Sequence, residues 1–100
     1  MGNLPWFAEK MSAYDPAYHK MLEQVANLAL SPSALDRKTM LLILVALDAS
    51  KGAGQGVKVL AGQARQAGAS DDEIKEALRL AYYVSGMDTV KASLQAFDEG

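Results

Sequence analysis

The stretch KGAGQGVKVLAGQARQAGASDDEIKE, Lys51 to Glu76, decides what kind of fold this chain can have. Within it Val57, Leu60, Ala61, Ala64 and Ala67 recur at helical spacing and make a face of small side chains, against which another helix can pack closely. Gly52, Gly54 and Gly56 loosen the chain ahead of that face. At its far end Gly68 fits the left-handed position just past a helix, where the absent Cβ removes a steric penalty. Ser70-Asp71-Asp72-Glu73 then reads as a capping box, in which Ser70 and Glu73 each satisfy the other's open backbone donor. One helix stops and the next starts within a few residues.

Downstream, the capping box launches a helix with Ile74, Ala77, Leu78, Ala81, Tyr82 and Ser85 on one face and Leu80, Tyr83, Val84 and Met87 on another. Gly86 reads as its end, and Asp88 as the cap of a last helix carrying Val90, Leu94 and Phe97. Upstream, the run Met40 to Leu47 is apolar on every side, which fits either a buried strand or a buried helix. Leu, Met and Ala outnumber β-branched residues there and the neighbouring segments are helical, so the helix is expected, with Asp36 as its cap. Asp15-Pro16 reads as an N-cap followed by proline at the first helical position. Tyr18, Met21, Leu22, Val25, Leu28 and Ala29 then form one stripe, expected to be buried, and Ser31-Pro32-Ser33 ends that helix. Before Asp15, the segment around Pro5, Trp6 and Phe7 reads as one or two turns packing their aromatics onto this helix.

One hundred residues, half of them apolar, imply a single domain with a modest core. Ten Lys and Arg stand against twelve Asp and Glu without any charge block, so a nucleic-acid partner is not expected. The chain has no cysteine, which removes disulfides, thiolate metal sites and thiol redox couples. Its single histidine, His19, reads as a surface residue beside Lys20, and no metal site or cofactor is expected. The N-terminal residues lack the pattern of a secretory signal. No apolar run approaches the ~20 residues of a membrane span, so the expectation is a soluble, cytoplasmic protein. Two helices apolar on more than one side exceed what one small core covers, and the surplus around Met40 to Leu47 and Leu80 to Met87 predicts a homo-oligomer.

Tyr14-Asp15-Pro16, Leu35-Asp36-Arg37-Lys38-Thr39, the block Gly68-Ala69-Ser70-x-x-Glu73-Ile74-x-Glu76-Ala77 and Gly86 stand in one collinear frame over residues 14–97. In this frame the chain resembles the carboxymuconolactone decarboxylase family, which includes the alkylhydroperoxidase D-like proteins. The resemblance implies an all-α bundle of about five to six helices that assembles into dimers, trimers or hexamers. It also implies a site: the peroxidase branch carries Cys-x-x-Cys-x-x-x-His, its histidine eight residues before the glycine that ends the helix, and an upstream glutamate relay. Counting back from Gly68 puts the histidine at Leu60, the cysteines at Ala53 and Gly56, and the glutamate near Leu41. None of these can do the chemistry, because hydroperoxide reduction needs a thiolate and a resolving thiol. The decarboxylase branch places carboxylates and a histidine in the same helix, and the counterparts near Gln55, Gly56 and Leu60 do not titrate.

Asp48, Lys51 and Tyr82 are the displaced candidates for acid-base work, together with Lys58 and Tyr83. The blander reading makes the charged ones solvated helix-surface groups and the tyrosines core residues with a polar tip. A side-chain-poor pocket is expected around Leu41, Ala53, Gly56, Val57 and Leu60, of a size for a small apolar molecule or organic acid. A glycine-rich phosphate loop is the weaker alternative for Gly52 to Gly56: the spacing is Gly-x-Gly-x-Gly, no Lys-Ser/Thr follows, and no second strand exists. Two functions follow: a small-molecule-binding or scaffold oligomer, or a non-redox decarboxylase or isomerase acting on a small organic acid or lactone. Trp6 and Phe7 read as packing across a subunit boundary and the five methionines as core filler.

Overall fold

A computed structural model of the chain describes residues 4–98. It is all-helical, with no strand among the described residues. The helical reading of Met40 to Leu47 holds, since α3 runs Arg37–Ser50. The chain forms two compact units, Met1–Asp36 and Arg37–Gly100.

In the first unit a single turn, α1 (Trp6–Glu9), passes into a 3-10 turn (Lys10–Ala13) and then into α2 (Pro16–Ala29). The start of α2 is built as expected. Asp15 accepts a hydrogen bond from the Tyr18 backbone N–H at 3.1 Å and Pro16 occupies the first turn. This pairing fills one orphan donor while proline's missing N–H leaves none. His19 ties α2 to α1: its Nε2 lies 3.0 Å from Glu9 Oε1 and its Nδ1 lies 3.5 Å from Glu23 Oε1. The expected burial of the α2 stripe does not occur. Leu22 is half-buried, while Tyr18, Met21, Val25 and Leu28 are exposed, because a one-turn helix and a 3-10 turn are too short to cover fourteen residues. Trp6 and Phe7 likewise stay exposed, packing edge-on against each other at 5.9 Å.

The second unit holds α3, α4 (Gly54–Gln66), α5 (Asp71–Ser93) and a closing 3-10 turn (Leu94–Ala96). Helix α3 is its centre and packs on both α4 and α5. The core is Met40, Leu41 and Val45 of α3, Ala61 and Ala64 of α4, Ala69, and Ile74 of α5. The alanines explain the close fit, since a small face lets the α4 backbone come near α3. Lys38 of α3 reaches Glu73 of α5 at 2.9 Å and ties the two helices at their N-terminal ends.

The stops of α3 and α4 use one device. Gly52 and Gly68 are the described residues with positive φ, +74° and +100°. Behind each, the chain folds back on the helix end: Ala53 N–H donates to the Asp48 carbonyl and Gly52 N–H to that of Ala49, just as Ala69 N–H donates to Ala64 and Gly68 N–H to Arg65. Each is a Schellman closure, which satisfies carbonyls the helix would leave open. The Ser70 capping box then forms in full, with Ser70 N–H donating to Glu73 Oε1 at 2.9 Å and Glu73 N–H to Ser70 Oγ at 3.1 Å.

Gly86 does not end a helix, and no separate helix starts at Asp88. Helix α5 runs unbroken through both to Ser93. Glycine stops a helix only where the backbone turns left-handed, and Gly86 does not; within a helix it costs about 1 kcal/mol relative to alanine but leaves the hydrogen bonds intact. The tyrosines are also not core residues: Tyr82 is 78% exposed and Tyr83 64%. Among the described residues no helix is long and apolar enough to cross a membrane.

Candidate functional site

The turn from α3 into α4 concentrates what chemistry the frame retains. The Schellman closure at Gly52 makes the Asp48 carbonyl the anchor of the turn, accepting from Ala53 N–H at 2.9 Å and from Lys51 N–H at 3.2 Å. Holding the backbone of Asp48 there also aims its side chain. The carboxylate lies directly against Gly56, so closely that a Cβ on Gly56 would collide with Oδ2 and press on Cγ. Gly56 is thus required for this approach, and its lack of a side chain has a use.

The same contact has an electrostatic sense. Gly56 lies in the first turn of α4, where backbone N–H groups point outward without helix partners. Ala53, at the N-cap, offers no side-chain cap. A carboxylate brought in from the preceding helix complements that positive end. Asp48 is half-buried, so its charge is partly screened by water.

The other candidates are placed differently. Lys51 is exposed in the turn itself. Tyr82 is exposed on α5, with its ring 3.7 Å from where a Gly86 Cβ would stand. Lys58 is exposed on α4. Of the expected pocket residues, Gly56, Val57 and Leu60 are half-buried and Ala53 is exposed, whereas Leu41 is 1% exposed and belongs to the packed core. Gly54 borders open space, since a Cβ there would meet nothing within 4 Å. An open depression of about 400 Å³ lies elsewhere, on α5, lined by Glu76, Arg79, Leu80 and Tyr83.

The Asp48–Gly56 approach was beyond the reach of sequence spacing. The one signal for it is Gly52: the chain reverses there, and residues on either side of a reversal meet. What this arrangement can do is limited and definite. One carboxylate at a helix N-terminus can accept or return a proton or hold a donor group of a small molecule, and with no cysteine in the chain it cannot take part in thiol redox chemistry.

The sequence profile described as "Carboxymuconolactone decarboxylase family" matches residues 16–99. No curated protein and no solved structure matches the chain.

Proposed function

The chain belongs to the carboxymuconolactone decarboxylase family, and on that premise we propose that it is a non-redox member, a homo-oligomer that binds a small organic molecule beside the start of α4. The observation that carries this reading is the exposed apolar row on the distal half of α5 and the closing 3-10 turn. Val84 and Val90 of the helix and Leu94 of the turn are all more than half exposed, and exposed apolar side chains grouped along one element mark an interaction site. A trimer or hexamer of this chain would cover it. The binding role is supported by the side-chain-poor opening of α4, where Gly54 borders open space and Asp48, against Gly56, supplies one polar group. A cytoplasmic location without nucleic-acid or membrane partners goes with the same reading.

Light scattering at micromolar concentration tests the assembly, with a mass of three or six chains expected; a monomer would sink it. A thermal-shift panel of small lactones, organic acids and neutral apolar compounds tests the binding. Ligands of this site should raise the melting temperature of the wild type and not of Gly54→Leu, whose side chain would extend into the open space beside the start of α4.

A second reading has its own observation. Asp48 sits against Gly56, one of the positions where the family's chemistry is placed by the count from Gly68. A non-redox decarboxylase or isomerase would use that carboxylate as its proton carrier, with Lys51 or Tyr82 as displaced helpers. Turnover of a lactone or organic acid that disappears in Asp48→Asn, with binding retained, would decide for this reading. Unchanged turnover in that variant would remove it.

A further inference from the structure

The first unit holds a constellation that neither the family frame nor the α4 opening uses. His19 of α2 stands between two glutamates, Glu9 from α1 and Glu23 one turn further along α2. One ligand atom from each of the three lies within 4.8 Å of the others. Ligands held by one ion at about 2.0–2.2 Å bonds stand roughly 3–4 Å apart, and His19 Nε2 and Glu9 Oε1 already stand at 3.0 Å. His19 and Glu23 are four residues apart on one helix, the spacing that puts two side chains on the same face. The two glutamate side chains are nearly half exposed, while the His19 side chain they flank is 15% exposed.

We propose that Glu9, His19 and Glu23 bind a divalent first-row transition ion of the Zn²⁺ type, which clips α1 to α2. The charge matches: a neutral imidazole with two carboxylates carries −2, which one divalent cation neutralises. The donor set selects the metal, because imidazole favours Zn²⁺, Co²⁺ or Ni²⁺ over Mg²⁺ and Ca²⁺, which take oxygen ligands. Without the ion each ring nitrogen faces one glutamate; binding takes one of those nitrogens and draws both carboxylates to it. Three protein ligands leave at least one coordination position for water.

The unit has a use for such a clip. Among its described residues none is buried, so apolar packing holds α1 to α2 only weakly. An ion bound to the folded arrangement and not to the open chain shifts the balance toward the folded one.

Titration of the untagged chain of residues 1–100 with Zn²⁺ by calorimetry, and with Co²⁺ by visible absorbance, tests the site. One ion per chain is expected, with ligand-field bands from Co²⁺ and a Zn²⁺-dependent rise in the melting temperature. His19→Ala and Glu23→Gln should each weaken binding by at least about tenfold, the loss seen when even an outer partner of a metal ligand is removed. Asp71→Asn, in an exposed carboxylate of the other unit, should leave it unchanged. The proposal fails if Zn²⁺ shows no saturable binding, if Mg²⁺ binds as tightly, or if His19→Ala binds as the wild type does, which would mean only adventitious ions on surface carboxylates. Glu23→Gln keeps the size and helix propensity of the side chain, so a folding defect in His19→Ala does not leave the outcome open.

Discussion

Helix α5 is two helices in one in terms of what surrounds it. From Asp71 to Ala81 it is capped by Ser70, buries Ile74, half-buries Ala77, Leu78 and Ala81, and is tied to α3 through Glu73 and Lys38. From Tyr82 to Ser93 it has no buried residue, yet carries Tyr82, Tyr83, Val84, Met87 and Val90 exposed. The backbone is continuous across the divide and the apolar content does not fall. The difference teaches that helix formation and helix coverage are separate problems. Local signals and the first half's packing start the helix, propagation carries it on, and the second half's apolar surface is left for something other than its own unit to cover.

The contrast is open to direct attack, most severely in the core that supports the first half. Leu41→Ala, at a site 1% exposed, should cost about 2–5 kcal/mol in urea unfolding, whereas Val90→Ala, at 57% exposure, should stay within about 0.5 kcal/mol for the unassembled chain. Equal losses would erase the distinction between the halves. Val84→Glu should lower the mass seen by light scattering while leaving helical circular dichroism intact, since 70% of Val84 is exposed. Unchanged mass would mean that the distal row is not the assembly surface. Ser70→Ala removes the cap of the covered half and should cost about 1 kcal/mol.

Smaller effects probe the charges and the seam. The Glu73 carboxyl is held below its ordinary value of 4.5, first by the Ser70 backbone N–H and then by Lys38, with slight burial opposing both. A carboxylate whose folded-state pKa is depressed contributes its stability above the unfolded value and loses it as pH falls through the folded one. Glu73→Gln should therefore be less stable than the wild type at neutral pH, and the gap should narrow below about pH 4.5. A gap that widens in acid would reverse the assignment. Smallest of all, Gly86→Ala should stabilise the chain by about 0.5–1 kcal/mol, because a Cβ there meets only the Tyr82 ring at an ordinary 3.7 Å. Destabilisation would show a break in α5 at that residue.

Features encoded within a few residues were legible in the sequence. The Asp15-Pro16 start, the Gly68 stop and the Ser70–Glu73 box each depend on backbone donors and acceptors that neighbouring residues satisfy, and each stands where expected. Gly86 misled because glycine is compatible with a helix end without dictating one; the φ angle decides, and composition does not reveal it. The α2 stripe misled for a different reason. Its periodicity states which side is apolar, and burial depends on whether another element is there to cover it. At the site, Asp48 was legible as a candidate but its approach to Gly56 was not, since that depends on how sharply the Gly52 turn reverses the chain. His19 and Glu23 are visible as a helical pair, while Glu9 joins them only through the path of the 3-10 turn.

The single tryptophan of the chain stands in the first unit, in edge contact with Phe7. Most helical residues belong to α3, α4 and α5 in the second. Intrinsic fluorescence excited at the indole therefore listens to one unit while far-ultraviolet dichroism listens mainly to the other. No label and no engineered reporter is needed to hear them separately. Followed together through a single denaturant titration, the two signals give superimposable curves if both units melt as one cooperative body, and staggered curves if each has its own transition.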